Sequence, residues 1–144
     1  MFRPSTDRGP TRSPFSAPTR YLRILYVDDV SALRDIARLS FDRLGHTLEC
    51  VADSIMAARL FASSRAFDLV IAEHDLANLN GVGLITRLRA GGYAGRIIIL
   101  ADEVDAETEG EYLELNVDRI MFKPVLPSGL RACVAELFPG SGRL

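Results

Sequence analysis

Five short apolar segments occur along the chain from residue 22 onward, and each is followed by a longer stretch with helical periodicity. The segments are too short for helices and are rich in isoleucine, leucine and valine, which is typical of buried strands. They occupy 22–27, 47–51, 68–72, 96–100 and 119–122. An alternation of strands and helices predicts a parallel sheet, and right-handed crossovers make that sheet open and doubly wound, with helices on both faces. We therefore expect an α/β fold of five βα units.

Residues that favour helix ends indicate where the helices begin and end. Gly45 follows the first amphipathic stretch as a C-cap, Asp53 precedes the second as an N-cap, and Pro127 opens the fifth. The third helix is expected over 81–89 and the fourth over 105–116. In the first, second, third and fifth helices, the side chains expected to face the core are Leu33, Ile36, Ala37, Ser40, Leu44, Met56, Ala57, Leu60, Phe61, Leu84, Ile85, Leu88, Leu130, Cys133, Val134, Leu137 and Phe138.

Residues 1–20 differ in composition from the rest of the chain. They contain four prolines, four arginines and a single acidic residue, with few sizeable apolar side chains. Such a stretch cannot bury enough apolar surface to offset the entropy lost on ordering, so we expect a flexible tail. Contact of its arginines with an acidic partner or membrane lipid is the alternative, weakened by their wide spacing. The folded domain is expected over 21–139, with a short C-terminal tail at 140–144.

Composition argues against several classes of protein. The chain has 144 residues and a net charge of −2, whereas direct nucleic-acid binders need a basic surface. No apolar run approaches the length of about 18 residues needed to span a membrane, and the N-terminus lacks the apolar stretch of a secretory signal. Cys50 and Cys133 lie among apolar neighbours without metal-ligand spacing, which favours buried, reduced thiols and a cytoplasmic setting.

Charged side chains follow the ends of several predicted strands, where a doubly wound sheet forms its functional crevice. Asp28 and Asp29 come directly after the first strand and Glu73 after the third, so we expect three carboxylates to converge. Because clustered carboxylates repel one another, they require a divalent cation or a positive side chain, and Mg²⁺ is the expected cation. The alternative is that Asp28 caps the first helix or faces solvent.

Lys123 is the only lysine in the chain, since sixteen of the seventeen basic residues are arginine. It ends the fifth strand, directly before Pro124. A compact ammonium on a flexible stem serves purposes that the planar guanidinium group of arginine does not. We therefore interpret Lys123 as the positive group of the crevice, with an incidental surface lysine as the alternative.

Three motifs occur together at these strand ends: the Asp-Asp pair at 28–29, the segment DLVIAEHDLANLNG at 68–81 and the Phe-Lys-Pro motif at 122–124. From residue 21 to about residue 138, the chain resembles the receiver domain of bacterial two-component response regulators, the CheY-like family. The resemblance implies a flavodoxin-like three-layer sandwich with strand order 2-1-3-4-5. It also implies a phosphorelay module in which the paired acids hold Mg²⁺. In that family an aspartate ending strand three accepts a phosphoryl group, and the lysine pairs with that group.

Several positions depart from the family pattern. Glu73 stands at the phosphoacceptor position, and Ala77 replaces the loop proline. Ala101 stands where the family has a serine or threonine that binds the phosphoryl group, and Ile120 stands at the switch-aromatic position. An extra methylene displaces the Glu73 carboxylate outward by more than about an ångström, and such a displacement can cost about a hundredfold in rate. These changes favour a pseudo-receiver in which Glu73 pairs permanently with Lys123 and holds the domain in one conformation.

Two alternatives stay open. The first is a receiver that still accepts a phosphoryl group, on Glu73 or Asp75, with Mg²⁺ held by Asp28, Asp29 and Glu73. The second is a Mg²⁺-dependent phosphoryl-transfer enzyme of the same fold class, which is disfavoured because no loop is long enough to supply a substrate pocket. We therefore expect a module that is not an enzyme. Strand alternation turns His74 away from Glu73, which favours a structural role over a metal or phosphohistidine role.

A stand-alone module of this kind is expected to act through protein contacts, with a histidine kinase or a downstream effector as partner. The segment 102–114 contains seven acidic residues and no basic one. In similar proteins the fourth helix, fifth strand and fifth helix form a docking or homodimer surface. The alternative interpretation of the segment is a solvated charged face.

Overall fold

Five strands and five helices alternate along the part of the chain that the computed structural model describes, residues 19–64 and 66–143. The strands are β1 (Arg23–Val27), β2 (Thr47–Val51), β3 (Leu69–Glu73), β4 (Arg96–Ala101) and β5 (Arg119–Phe122). The helices are α1 (Ser31–Asp42), α2 (Ser54–Ser63), α3 (Gly81–Ala90), α4 (Ala106–Glu114) and α5 (Pro127–Leu137). No helix within these described ranges combines the length and the apolar character needed to span a bilayer.

The strands form one parallel sheet in the order β2-β1-β3-β4-β5, which confirms the predicted fold class. The chain crosses from the β2 side to the β4 side between β1 and β3. In an open parallel sheet this change of direction leaves a crevice at the carboxyl ends of the two central strands. All five residues of β3 are buried, because helices cover both faces of the sheet at its centre.

Alternate residues of each strand supply two separate apolar clusters, one on each face of the sheet. The first cluster packs beneath α2, α3 and α4 and contains Val70 and Ala72 of β3. The second packs beneath α1 and α5 and contains Leu69 and Ile71 of the same strand. This two-sided core fixes the register of β3 and therefore the direction in which its last side chain points.

Two of the side chains predicted to face the core are largely exposed. Ile36 of α1 is 46% exposed, and Met56 of α2 is 51% exposed. Each lies one position, or about 100° around the helix, from the alanine that marks the buried stripe, Ala37 or Ala57. Phe41, four residues after Ala37, is the large side chain that fills the core beneath α1.

Contacts at the two ends of the domain reach past the predicted limits of 21–139. Arg20 forms an isolated parallel bridge with Ser141, and its backbone carbonyl accepts a hydrogen bond of 2.8 Å from the N–H of Gly142. The Arg20 guanidinium also contacts Asp68 at 2.6 Å. Most of the predicted tail, residues 1–18, lies outside the described residues.

Candidate functional site

The acidic crevice is built by backbone hydrogen bonds that continue the sheet just past the strand ends. The N–H of His74 donates to Leu100 O at 2.8 Å, and the N–H of Lys123 donates to Ala101 O at 2.8 Å. Glu73, the last residue of β3, and Lys123, the first residue after β5, are thereby held on either side of β4. The peptide bond between Lys123 and Pro124 is cis.

Glu73 and Lys123 form an ion pair, as the sequence predicted. Lys123 Nζ lies 2.5 Å from Glu73 Oε2, and the Glu73 side chain is only 4% exposed. The second carboxylate oxygen, Oε1, accepts a hydrogen bond of 3.4 Å from the backbone N–H of Asp75. One oxygen of the Glu73 carboxylate therefore accepts a hydrogen bond, while the other, Oε2, makes an ionic contact with Lys123 that lacks hydrogen-bond geometry.

Opposing effects act on the charges of this pair. Burial raises the pKa of the Glu73 carboxyl above its ordinary value of 4.5, against the close contact and charge of Lys123. Burial alone would lower the pKa of Lys123, but the contact with Glu73 prevails and raises it, with Asp28 and Asp102 acting in the same direction. The ammonium is thus firmly protonated, and it is the group that makes a buried carboxylate tolerable at this position.

Asp28 is buried and is held by two protein donors. Its Oδ1 accepts from the N–H of Val30 at 3.0 Å, and its Oδ2 accepts from the hydroxyl of Tyr26 at 3.3 Å. Burial, together with the charge of Asp28, raises the pKa of Tyr26, so the phenol stays protonated and donates. Val30 occupies the N-cap position of α1, which has no side-chain cap. Asp28 therefore braces the loop after β1 instead of capping the helix.

A further carboxylate near the ammonium is that of Asp102. Asp28, Glu73 and Asp102 all act on the charge of Lys123, whereas Asp29 is exposed. The structure thus buries Asp28 and leaves Asp29 exposed, and the expected convergence of Asp29 with Asp28 and Glu73 stays a prediction.

The two positions to which the resemblance assigns switch side chains, 101 and 120, hold small or apolar groups. Ala101 is fully buried at the end of β4 and offers no hydroxyl toward the crevice. Ile120 of β5 is partly buried and packs against the first apolar cluster. Phe122, two residues further along β5, is the aromatic side chain of that strand and is 50% exposed. None of these three side chains can donate a hydrogen bond to Glu73.

His74 takes part in a contact that the sequence did not reveal. Its Nδ1 lies 2.5 Å from the hydroxyl of Tyr112 in α4, and the two rings meet edge to face with centroids 5.6 Å apart. Strand alternation correctly turned His74 away from Glu73, but the partner lies 38 residues further along the chain. No local pattern identifies such a partner before the packing of α4 is known.

An apolar cavity of about 480 Å³ lies beside the ion pair, between α1 and α5. Its walls include Leu33 of α1 and Leu130 of α5. At one end it reaches the polar groups Asp28, Asp102 and Lys123. The ion pair can therefore be approached from the side of the sheet that α1 and α5 cover.

The fold and the crevice of carboxylates around one lysine define a receiver-type signalling module. The chain belongs to the response regulator receiver domain family, whose model matches residues 24–135.

Comparisons with individual proteins agree with this family. Protein RcaC of Microchaete diplosiphon is 30% identical over 118 residues, which cover 81% of this chain and 18% of that protein. The transcriptional regulatory protein PmrA of Pectobacterium parmentieri is 28% identical over 118 residues, covering 81% of this chain and 52% of that protein. The chain thus spans about half or less of these curated relatives. Among solved structures, the chemotaxis protein CheY4 of Vibrio cholerae superposes with a TM-score of 0.76 at 21% identity, covering 83% of this chain and all of the other.

Receiver domains typically bind Mg²⁺ at the phosphorylation site. In this arrangement Glu73 Oε2 faces Lys123 Nζ at 2.5 Å, so a cation bound at that oxygen would have to displace the ammonium, whereas each oxygen of Asp28 keeps a free lone pair beside the hydrogen bond that it accepts. Across 19–64 and 66–143, no three or more histidine, cysteine, aspartate or glutamate side chains are grouped so that they could hold a metal ion. Lys123 instead supplies the positive charge that clustered carboxylates require.

Proposed function

We propose that this receiver domain works as a pseudo-receiver, in which Glu73 fills the phosphoacceptor position and its pairing with Lys123 takes the place of phosphorylation. The observation that carries the proposal is the contact of 2.5 Å between a buried Glu73 carboxylate and the only lysine of the chain. Receiver domains are generally signalling modules without enzymatic activity. In this proposal the domain acts by contact with other proteins and not by turnover.

Phosphoryl transfer to Glu73 would have to begin by breaking this pair. The lysine that normally meets the phosphoryl group is already bound to the acceptor, and the longer side chain misplaces the attacking oxygen relative to a leaving group. After transfer, the methyl group of Ala101 would offer no hydrogen bond to the product. These features disfavour both the attack of the Glu73 carboxylate on a phosphodonor and the phosphorylated product. They therefore support a loss of phosphorylation and not merely a change in its rate.

We propose that the docking surface comprises α4, β5 and α5. Leu113, which is 66% exposed, and the half-exposed Phe122 are large apolar side chains of this surface. Leu113 belongs to the acidic helix α4, in which Glu107, Glu109 and Glu111 have no basic residue among them, and Phe122 lines a pocket together with Leu113. An apolar anchor with basic neighbours is the complementary chemistry, which fits a segment of a histidine kinase or a downstream effector. Homodimerisation through the same surface is the competing arrangement.

We also propose that the protein resides in the cytoplasm. Both cysteines are free thiols, Cys133 in the core and Cys50 partly exposed. Burial raises the pKa of both thiols, so each stays protonated and unreactive in a reducing compartment.

A labelling experiment with a small phosphodonor and Mg²⁺ tests the proposed function. The full chain is incubated with labelled acetyl phosphate, beside Glu73→Gln and Asp75→Asn variants. We expect no label on any of the three. Label on the wild type that disappears in Glu73→Gln would overturn the proposal in favour of a working receiver. Label that disappears only in Asp75→Asn would overturn it in favour of a displaced acceptor.

A Mg²⁺ titration followed by the amide resonances of Asp28 and Asp29 gives an independent answer. The proposal predicts no saturable shift at neutral pH, because Lys123 already neutralises the crevice. The Lys123→Met variant, which removes that ammonium, is the matched positive control and should bind Mg²⁺ more tightly than the wild type. Saturable binding to the wild type at about millimolar Mg²⁺ would contradict the proposal.

A further inference from the structure

Helix α4 is attached to the rest of the domain by one fully buried side chain. Of the nine residues of α4, only Tyr112 is buried, and it belongs to the apolar cluster beneath α2 and α3. Its ring reaches past the helix so that its hydroxyl meets His74 Nδ1. Within Ala106–Glu114 this is the side-chain hydrogen bond that reaches outside the helix, while at the C-terminal end of α4 Arg89 of α3 donates to the carbonyl of the C-cap residue Leu115 at 2.9 Å. His74 thus holds α4 at its buried tyrosine, and Arg89 holds the C-terminal end of the helix.

His74 is at the same time the direct neighbour of the acceptor-position carboxylate. Its backbone is fixed on both sides, since its N–H donates to Leu100 O and its carbonyl accepts from the N–H of Gly81, each at 2.8 Å. A shift of the Glu73 backbone must therefore move the His74 ring or strain these bonds. The tyrosine hydroxyl lies so close to Gly81 that a β-carbon there would overlap it. The contact is thus enclosed on three sides, by His74, Gly81 and the core.

The usual side chains for transmitting the state of this crevice are missing from the chain. Ala101 has no hydroxyl and Ile120 has no aromatic ring. The polar contact that remains between the end of β3 and α4 is the one made by His74 and Tyr112. Burial is the main cause that raises the pKa of Tyr112, so the phenol stays protonated and can donate to Nδ1.

We infer that the hydrogen bond between His74 and Tyr112 couples the Glu73–Lys123 pair to helix α4 and so sets how this helix is presented on the docking surface. Its use in docking rests on the function proposed above, whereas the coupling itself does not. A coupling of this kind requires that the two sites bias the same element, which here is the α4 backbone.

The test is a comparison of amide shifts in the full chain with and without the tyrosine hydroxyl. Glu73→Gln is introduced into the wild type, into Tyr112→Phe and into Tyr93→Phe, and the changes at 109–114 are measured. Tyr93 is the matched control, because it is also a buried tyrosine whose hydroxyl donates to one group, Arg96 O at 3.4 Å. We expect the changes in α4 to fall at least twofold in Tyr112→Phe and to persist in Tyr93→Phe. Unchanged transmission in Tyr112→Phe would overturn the inference.

Amide hydrogen exchange supplies a second readout. Loss of one hydrogen bond should make the α4 amides of Tyr112→Phe exchange about 3- to 10-fold faster, with the strand amides unaffected. His74→Ala, which leaves the buried tyrosine ring in place, should reproduce the effect. Exchange in α4 that is unchanged in both variants would contradict the coupling. Neither readout uses a phosphodonor, so label on Glu73 would refute the proposed function without touching this inference.

Discussion

Among individual residues, Lys123 carries the electrostatic balance of the crevice. Three carboxylates act on its ammonium, and the nearest of them is almost completely buried. Removing one partner of a buried ion pair leaves an unpaired charge, which is far more costly than never having the pair. The cost should therefore depend on whether Glu73 is ionised.

The Lys123→Met variant is expected to lose about 2 kcal/mol of stability at pH 7, less than for a fully buried pair because the lysine is partly exposed. In this variant burial raises the pKa of the Glu73 carboxyl and no ammonium opposes it. The folded variant therefore holds the proton of Glu73 more tightly than the unfolded chain does, so its folding is favoured at low pH and loses stability as the pH rises through the raised pKa. Urea unfolding at pH 7 and pH 4.5 should thus show a smaller deficit at the lower pH.

A double variant separates charge from packing in this prediction. Lys123→Met combined with Glu73→Gln removes both charges, so it should recover most of the stability lost at pH 7. A deficit in Lys123→Met that is equal at both pH values, or that the second substitution fails to relieve, would show that the loss comes from packing of the lysine stem.

The length of the Glu73 side chain is expected to decide whether the crevice can accept a phosphoryl group. Glu73→Asp withdraws the carboxylate by about 1.5 Å and so loosens its contact with Lys123 Nζ. We expect this variant to gain label from acetyl phosphate with Mg²⁺, slowly because Ala101 gives no hydrogen bond to the product. Glu73→Asn is the uncharged control, because asparagine has the same length as the aspartate of the Glu73→Asp variant. An Asp variant as unreactive as the Asn variant would mean that side-chain length is not what blocks the site.

At the level of whole elements, the first residue of α3, Gly81, lies so close to Tyr112 of α4 that a larger side chain does not fit there. A β-carbon at Gly81 would overlap the hydroxyl of Tyr112, whereas one at Gly110 in α4 would meet nothing within 4 Å. Gly81→Ala should therefore destabilise the protein by about 1–3 kcal/mol, and Gly110→Ala should stabilise it by about 0.5–1 kcal/mol.

Urea unfolding of the Gly81→Ala and Gly110→Ala variants checks the predicted opposite changes in stability. In a Tyr112→Phe background the hydroxyl is absent, so Gly81→Ala should cost distinctly less than in the wild type. An equal cost in both backgrounds would place the strain elsewhere, for example at the backbone of His74, which also lies near the added carbon.

The elements themselves could be predicted well from the sequence, because strand length and helical spacing are local properties. The order of the strands was implied by the resemblance to receiver domains, and the Glu73–Lys123 pair by that resemblance together with the convergence of the carboxyl ends of parallel strands. The exposure of Ile36 and Met56 did not follow, because the edge of a buried stripe depends on how a helix is rotated against the sheet. The contact of His74 with Tyr112 depends on the distance between two elements, which no local pattern contains.

For the whole molecule, His46 joins the beginning of the domain to its end. It is buried between the first strand and the C-terminal residues, and its Nδ1 accepts a hydrogen bond of 3.0 Å from the N–H of Leu22. A β-carbon at Gly142 would overlap its Nε2, so the C-terminal segment packs directly on the ring. Burial lowers the pKa of His46 below its ordinary value of 6.5, with the charge of Asp68 opposing.

Stability is therefore expected to fall as the pH drops from 6.5 toward the lowered pKa of His46. In that window the unfolded chain binds a proton that the folded chain does not, so unfolding is favoured by up to about 1.4 kcal/mol per pH unit. Protonation at Nδ1 would also remove the acceptor for Leu22 N–H.

The His46→Asn variant tests this pH dependence, because asparagine keeps an acceptor in place of Nδ1 but cannot titrate. The difference in urea midpoint between wild type and His46→Asn should therefore shrink or reverse from pH 7.5 to pH 5.5, because only the wild type loses stability there. A constant difference would show that His46 is protonated equally in the folded and unfolded chains. The opposing contribution of Glu73 is common to both proteins and cancels in this comparison.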